Sequence, residues 1–167
     1  MPTVVALSTP SEVLEKARAP YDRTGSELFL SLAVYDDLGV EDVAVITGAV
    51  ASDFAPLRIR VHGIGTFMGE HYVLYAAALM APELAELHRV LHRELHLVGP
   101  SRPNYLPGRW VPHITLATVS TAAKAASAYT QLLEVPVTGQ YPARELVVVS
   151  GPPPTVEERY QLNGVTY

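Results

Sequence analysis

Arg109-Trp110-Val111-Pro112-His113-Ile114-Thr115-Leu116-Ala117 is the stretch whose reading decides the fold. Val111, His113, Thr115 and Ala117 alternate with Ile114 and Leu116, the period of a strand with one apolar face. His113 and Thr115 therefore project side by side from one surface. An imidazole gives or takes a proton near neutral pH, and a hydroxyl two residues away can hold a non-bridging phosphate oxygen. The approach, Tyr105-Leu106-Pro107-Gly108, is a loop stiffened by Pro and Gly. It brings Tyr105, Arg109 and Trp110 to the start of the strand as stacking surfaces and a cation.

On these residues the run resembles the second signature of the two-histidine (2H) phosphoesterases, the LigT-like or 2'-5' RNA ligase-like family. The resemblance implies two His-x-Thr/Ser motifs facing each other across a groove. It also implies metal-independent cleavage of cyclic phosphates or 2'-5' phosphodiesters, one histidine acting as base and the other as acid.

The chain has 167 residues and a formal charge of -5, so a single domain over 1–167 is expected, with a core of its own. Cysteine is absent, which excludes disulfides, thiolate metal sites and a thiol nucleophile. The acidic balance argues against broad adhesion to nucleic acid, which rests on clustered Lys and Arg. A small anionic ligand in a locally basic groove stays open. No apolar run is long enough to span a bilayer, and the first seven residues lack the basic and apolar regions of a signal segment. A cytoplasmic protein with no membrane attachment and no obligate protein partner is expected.

From the N-terminus, a short strand over 4–7 leads to Thr9-Pro10-Ser11-Glu12. This tetrad reads as a capping box with Thr9 as N-cap and Pro10 at the first helical position; Pro20 ends that helix. A polar stretch over 22–26 and an apolar strand over 28–35 follow. The next helix spans 40–51, with Val43, Ile46, Thr47 and Val50 on one face. Residues 57–62 alternate strictly, Leu57, Ile59 and Val61 inward, Arg58, Arg60 and His62 outward, and the strand continues through Gly63-Ile64-Gly65-Thr66-Phe67. After a strand over 72–79, Pro82 opens a helix with Leu84, Leu87, Leu91 and Leu95 as its buried stripe. A helix over 122–133 is expected to bury Ala125, Ala126, Tyr129, Leu132 and Leu133. A strand over 145–149 and an edge strand over 159–162 close the chain.

This order, strand, helix, strand, helix, strand and then the same again, reads as an internal duplication. It matches what the resemblance implies for the fold: α+β, bilobal, with two pseudo-symmetric antiparallel sheets flanked by helices around a central groove.

Superposing the repeats sets Phe29-Leu30-Ser31 on His113-Ile114-Thr115. The first motif keeps its hydroxyl but has Phe29 where the family carries its first histidine. Phenylalanine moves no proton, and loss of a general acid or base forfeits roughly 10²- to 10⁴-fold in rate. Three explanations compete. His62, outward with Arg58 and Arg60, takes over the role; or a single histidine suffices, with Ser31, Thr115 and arginines stabilising charge; or the chain binds its ligand without turning it over.

The expected catalytic residues are His113, Thr115 and Ser31. The expected substrate-binding residues are Phe29, Arg58, Arg60, His62, Tyr105, Arg109 and Trp110, with Trp110 or Tyr105 stacking on a base or lining the groove. No cofactor or metal is expected. The ligand is expected to be a small phosphorylated molecule, a nucleotide-type phosphodiester or cyclic phosphate, with RNA ends as a larger variant. The alternative is a silent or repurposed member, a ligand-binding protein or a biosynthetic enzyme of non-phosphate chemistry. His88, His92 and His96 spread along a helix edge rather than converging on a metal and read as the polar flank of an amphipathic helix. Gly63-x-Gly65-x-x-x-Gly69 has the wrong spacing for a dinucleotide fingerprint.

Overall fold

Leu30 and Ile114 form the backbone pair that joins two halves of an antiparallel sheet in the computed structural model. Residues 1–22 and 24–165 are described; Arg23, inside the polar stretch, and Thr166 and Tyr167, at the end of the expected domain, lie outside the described residues. The chain runs β1 (Thr3–Ser8), α1 (Glu12–Arg18), β2 (Phe29–Tyr35), α2 (Val40–Asp53), β3 (Leu57–Phe67), β4 (Tyr72–Ala78), α3 (Pro82–Leu95), β5 (His113–Val119), α4 (Ala122–Leu132), β6 (Gly139–Ala143), β7 (Glu145–Ser150) and β8 (Thr155–Gln161).

The sheet order is β6-β3-β4-β5-β2-β1-β7-β8. One lobe is β2-β1-β7-β8 and the other is β5-β4-β3-β6, so the order is palindromic about the β2–β5 seam. The lobes exchange strands. β3 follows the first repeat but pairs with β4, while β7 follows the second and pairs with β1. Each lobe is thus completed by a strand that the other half of the chain supplies.

The alternation read from the sequence is what buries one face. Leu30, Leu32, Ile114 and Leu116 point into the core with Leu87, Leu91 and Leu95 of α3. Each such side chain contributes about 1.5–3 kcal/mol on burial. The opposite face of β2 and β5 is left to the groove, where Phe29, Ser31 and His113 are half-buried and Thr115 is exposed. Among the described residues, no helix is long and apolar enough to cross a membrane.

Several local expectations are corrected. Ser11, not Thr9, is the N-cap of α1, its Oγ accepting from Leu14 N at 3.2 Å. Thr9 is buried and donates instead to Leu28 O at 3.1 Å, tying the end of β1 to the start of β2. In α4 the buried residues are Ala125, Ala128 and Leu132, while Ala126 is exposed, Tyr129 is 40% exposed and Leu133 62% exposed. Ala125 and Ala128 let that helix sit close to the sheet with Leu132, and Tyr129 and Leu133 are left outside. β6, a Gly- and Pro-containing edge strand that buries Tyr141 and Ala143, is not among the strands expected from the sequence. The closing edge strand begins at Thr155, not Arg159. His88 and His92 are 3% and 7% exposed, so they belong to the core side of α3 and not to its polar flank.

Candidate active site

His113 opens β5 directly after Pro112. Its Nδ1 lies 2.7 Å from Val111 O, and a carbonyl can only accept, so Nδ1 carries the proton and Nε2 keeps its lone pair. Burial pushes the imidazole pKa below its ordinary 6.5, partly offset by the Val111 hydrogen bond. The ring is therefore neutral at pH 7, ready to take a proton at Nε2.

Two rings fix its orientation. Phe67 meets His113 edge-on at 4.9 Å, and Tyr75 lies 5.3 Å away, stacked on Phe67 at 4.3 Å. Tyr75 can lie there because Gly65 has no side chain; a Cβ would come within 2.3 Å of the Tyr75 ring. Neither Phe67 nor Tyr75 stands out as a site residue in the sequence. The signal available is Gly65 inside a strand, which marks a close approach.

The antiparallel register about Leu30–Ile114 sets Ser31 across from His113 and Phe29 across from Thr115. The duplicated motifs therefore do meet on one face, with Phe29 at the position symmetric to His113. Two hollows flank this centre. A hollow of about 170 Å³ is lined by His113, Tyr105, Arg109, Phe67, Asn104, Val111 and the edge of Trp110. The turn that delivers Arg109 needs Gly108 at φ +85°, a conformation that favours glycine. Among the described residues, no carboxylate pairs with Arg109.

The other hollow, about 350 Å³, is lined by Phe29, Ser31, Thr115 and Thr118, with Arg18, Tyr21, Asp22 and Glu27 at its side. Here the charges are already engaged. Arg18 lies 3.5 Å from Asp22, and Arg159 pairs with Glu27 and, at 3.0 Å, with Glu145. Hydrogen bonds from Thr24, and then Arg18, hold the Asp22 carboxyl below its usual range. Phe29 packs on Ala6, Val147 and Val149, a small apolar cluster on this face of the sheet.

Three expected binding residues lie elsewhere. Arg58 and Arg60 are exposed on β3 and line a separate hollow with Glu83 and Gln140. His62 is exposed at the β-bulge between Val61 and Gly63 and lines neither hollow beside the central pair. It stands on β3, which β4 and β5 separate from β2 and Phe29. Trp110 is 6% exposed, its ring flat against His88 and its Nε1 donating to Ser31 O at 3.1 Å. It supports the site from beneath while still lining the hollow, in which Tyr105 is the half-buried ring and Trp110 the buried one. Among the described residues, no group of three or more His, Cys, Asp or Glu is placed to hold a metal ion.

The family model described as the 2'-5' RNA ligase superfamily matches residues 7–151. Similar solved structures include TT0787 of Thermus thermophilus, 24% identical, with a TM-score of 0.70 over 99% of this chain and 100% of that one. Escherichia coli LigT in its apo form is 18% identical, with a TM-score of 0.65 over 96% of each chain. LigT has also been solved with 3'-AMP and with phosphate. Usb1 of Kluyveromyces marxianus is 10% identical, with a TM-score of 0.61 over 96% of this chain and 98% of that one. These likenesses are of fold. No curated protein sequence matches the chain significantly.

Proposed function

The chain belongs to the 2'-5' RNA ligase superfamily, and from that premise we propose that it is a 2H-type phosphoesterase working with one histidine. Its substrate is a small nucleotide-type cyclic phosphate or phosphodiester, an RNA end being the larger form of the same group. The observation that carries this reading is the fixed tautomer of His113, with Nδ1–H held by Val111 O and Nε2 unprotonated. The LigT complexes with 3'-AMP and phosphate support the choice of ligand class.

On a 2',3'-cyclic phosphate, His113 Nε2 takes a proton from water as the water oxygen bonds to phosphorus. The P–O bond to one ribose oxygen breaks, and that oxygen takes its proton from solvent, because Phe29 has none to give. The product is a phosphomonoester, and the imidazolium returns its proton to solvent. Ser31 and Thr115 hydroxyls donate to the non-bridging oxygens, and Arg109 supplies the cation for the developing charge. Arg58, Arg60 and His62 have no part in this step.

The test is turnover of 2',3'-cyclic nucleotides and 2'-5' dinucleotides by the purified protein without added metal, with His113→Ala run beside it. Loss of about 10²- to 10⁴-fold in the variant is expected; equal rates in the two proteins remove the assignment. Phe29 favours a second reading, a silent or repurposed member that binds without turnover. No turnover by the parent, together with thermal stabilisation by 3'-AMP or phosphate, would establish that one.

A further inference from the structure

α3 sends two buried histidines toward the seam between the lobes. His92 Nε2 donates to Leu32 O at 2.9 Å, and Leu32 is the extra residue of a β-bulge opposite Val5 and Ala6, where ordinary strand pairing lapses. One turn earlier, His88 Nε2 donates to Tyr105 O at 2.8 Å. The same His88 ring lies flat on Trp110, centroids 3.9 Å apart and planes 5° from parallel. Trp110 Nε1 in turn donates to Ser31 O at 3.1 Å.

One imidazole thus grips residues 105–110 at both ends, by a hydrogen bond at Tyr105 and a stacked ring at Trp110. Arg109 lies inside the gripped segment. The Trp110 end reaches across the seam to the backbone of Ser31, the hydroxyl residue opposite His113. The buried environment keeps His88 uncharged well into the acid range, its pKa pushed down to about 4, so it is a neutral Nε2–H donor at pH 7.

We propose that His88 and Trp110 are positioning residues. Acting through the Tyr105 carbonyl and the Ser31 carbonyl, they hold Tyr105 and Arg109 on one wall and Ser31 on the other at the spacing the His113 reaction requires. The catalytic half of this inference rests on the phosphoesterase reading; the grip itself does not. Displacement of a reacting group by about 1 Å can cost on the order of 10²-fold in rate, which is how a residue beneath the site governs it.

Trp110 is the chain's one tryptophan, so its fluorescence reports the grip without any substrate. His88→Leu removes the donor and the stacked ring, while His88→Gln keeps an amide donor for Tyr105 O. In His88→Leu, Trp110 emission is expected to move to longer wavelength and become quenchable by acrylamide, with kcat on a 2',3'-cyclic nucleotide down about 10- to 100-fold at little-changed KM. His88→Gln is expected to restore most of both signals. A folded His88→Leu protein with shielded Trp110 and parental kcat overturns the proposal. If the parent turns nothing over, the phosphoesterase reading falls, and the fluorescence of the two variants still decides the grip. Should His88→Leu fail to fold, Trp110→Phe carries the test, because it keeps an aromatic ring beside His88 and loses the N–H that Ser31 O accepts. Faster amide exchange over residues 105–110, or a lowered kcat, supports the grip; parental values of both overturn it.

Discussion

On one side of the Leu30–Ile114 pair the groove offers His113, the stacked rings of Phe67 and Tyr75, and Arg109, which has no carboxylate partner among the described residues. On the other side the symmetric position holds Phe29, and the guanidiniums there are already tied, Arg18 to Asp22 and Arg159 to Glu27 and Glu145. The backbone of the two sides is a repeat, but the chemistry is not. An available cation and an unprotonated imidazole favour the approach of a phosphate; an apolar ring amid satisfied ion pairs favours a neutral group. The repeat supplied two equivalent positions, and of the two side chains only the imidazole can carry a proton. On the proposed reading, one half of the groove takes the phosphate and the other the uncharged part of the substrate.

The sharpest way to break the comparison is at its axis. Ile114→Ala removes a fully buried side chain from the pair that joins the lobes, and a loss of about 2–5 kcal/mol in denaturant unfolding is expected. A loss under about 1 kcal/mol would mean that the strand exchange, rather than this pair, holds the lobes together. Phe29→His restores an imidazole across from Thr115 and is expected to raise kcat about 10²-fold. It should also add a falling limb at high pH, since the new group must be protonated to serve as acid. No gain would show that the Phe29 side has lost more than its proton carrier.

Arg109→Ala and Arg159→Ala compare a guanidinium from each side. Loss of Arg109, in the His113 hollow, is expected to lower kcat/KM about 10-fold or more, as befits a charge-assisted hydrogen bond to the developing charge. Loss of the ion-paired Arg159 is expected to leave kcat/KM near the parental value, read in the same kinetic series; equal effects would erase the distinction between the halves. The smallest effect is in the pH profile of the parent. Burial lowers the His113 pKa and the neutral form is the base, so kcat/KM is expected to rise with pH through a value below the ordinary 6.5 and to be flat near neutrality. A rising limb above that ordinary value would assign the base to a different group.

Much of the fold was legible because it depends on local periodicity. The strict alternation of 57–61 and of the His113 strand, the leucine stripe of α3 and the position of α2 are all set by which residues can face water. The repeat made Phe29 and Ser31 the equivalents of His113 and Thr115 before any pairing was known, and the register then set Ser31 across from His113 and Phe29 across from Thr115. Other features left no local trace. His88 and His92 stand four and eight residues after Leu84, a spacing that puts them on the edge of the buried stripe, yet a polar residue there is compatible with either side. Trp110 looked like a stacking ring for a ligand because nothing near it in sequence told of Ser31, 79 residues away.

By itself, then, the sequence determined most of the elements, the repeat pattern, the family resemblance and the phenylalanine at the position equivalent to His113, since these depend on residue types at short spacing. Only the tertiary structure decided that the lobes exchange β3 and β7, that His62 and the two β3 arginines line neither hollow beside the centre, and that Trp110 faces inward. Those outcomes depend on which distant backbone groups and side chains meet. Such contacts are set by the burial and hydrogen-bond satisfaction of the whole chain, not by any window of it.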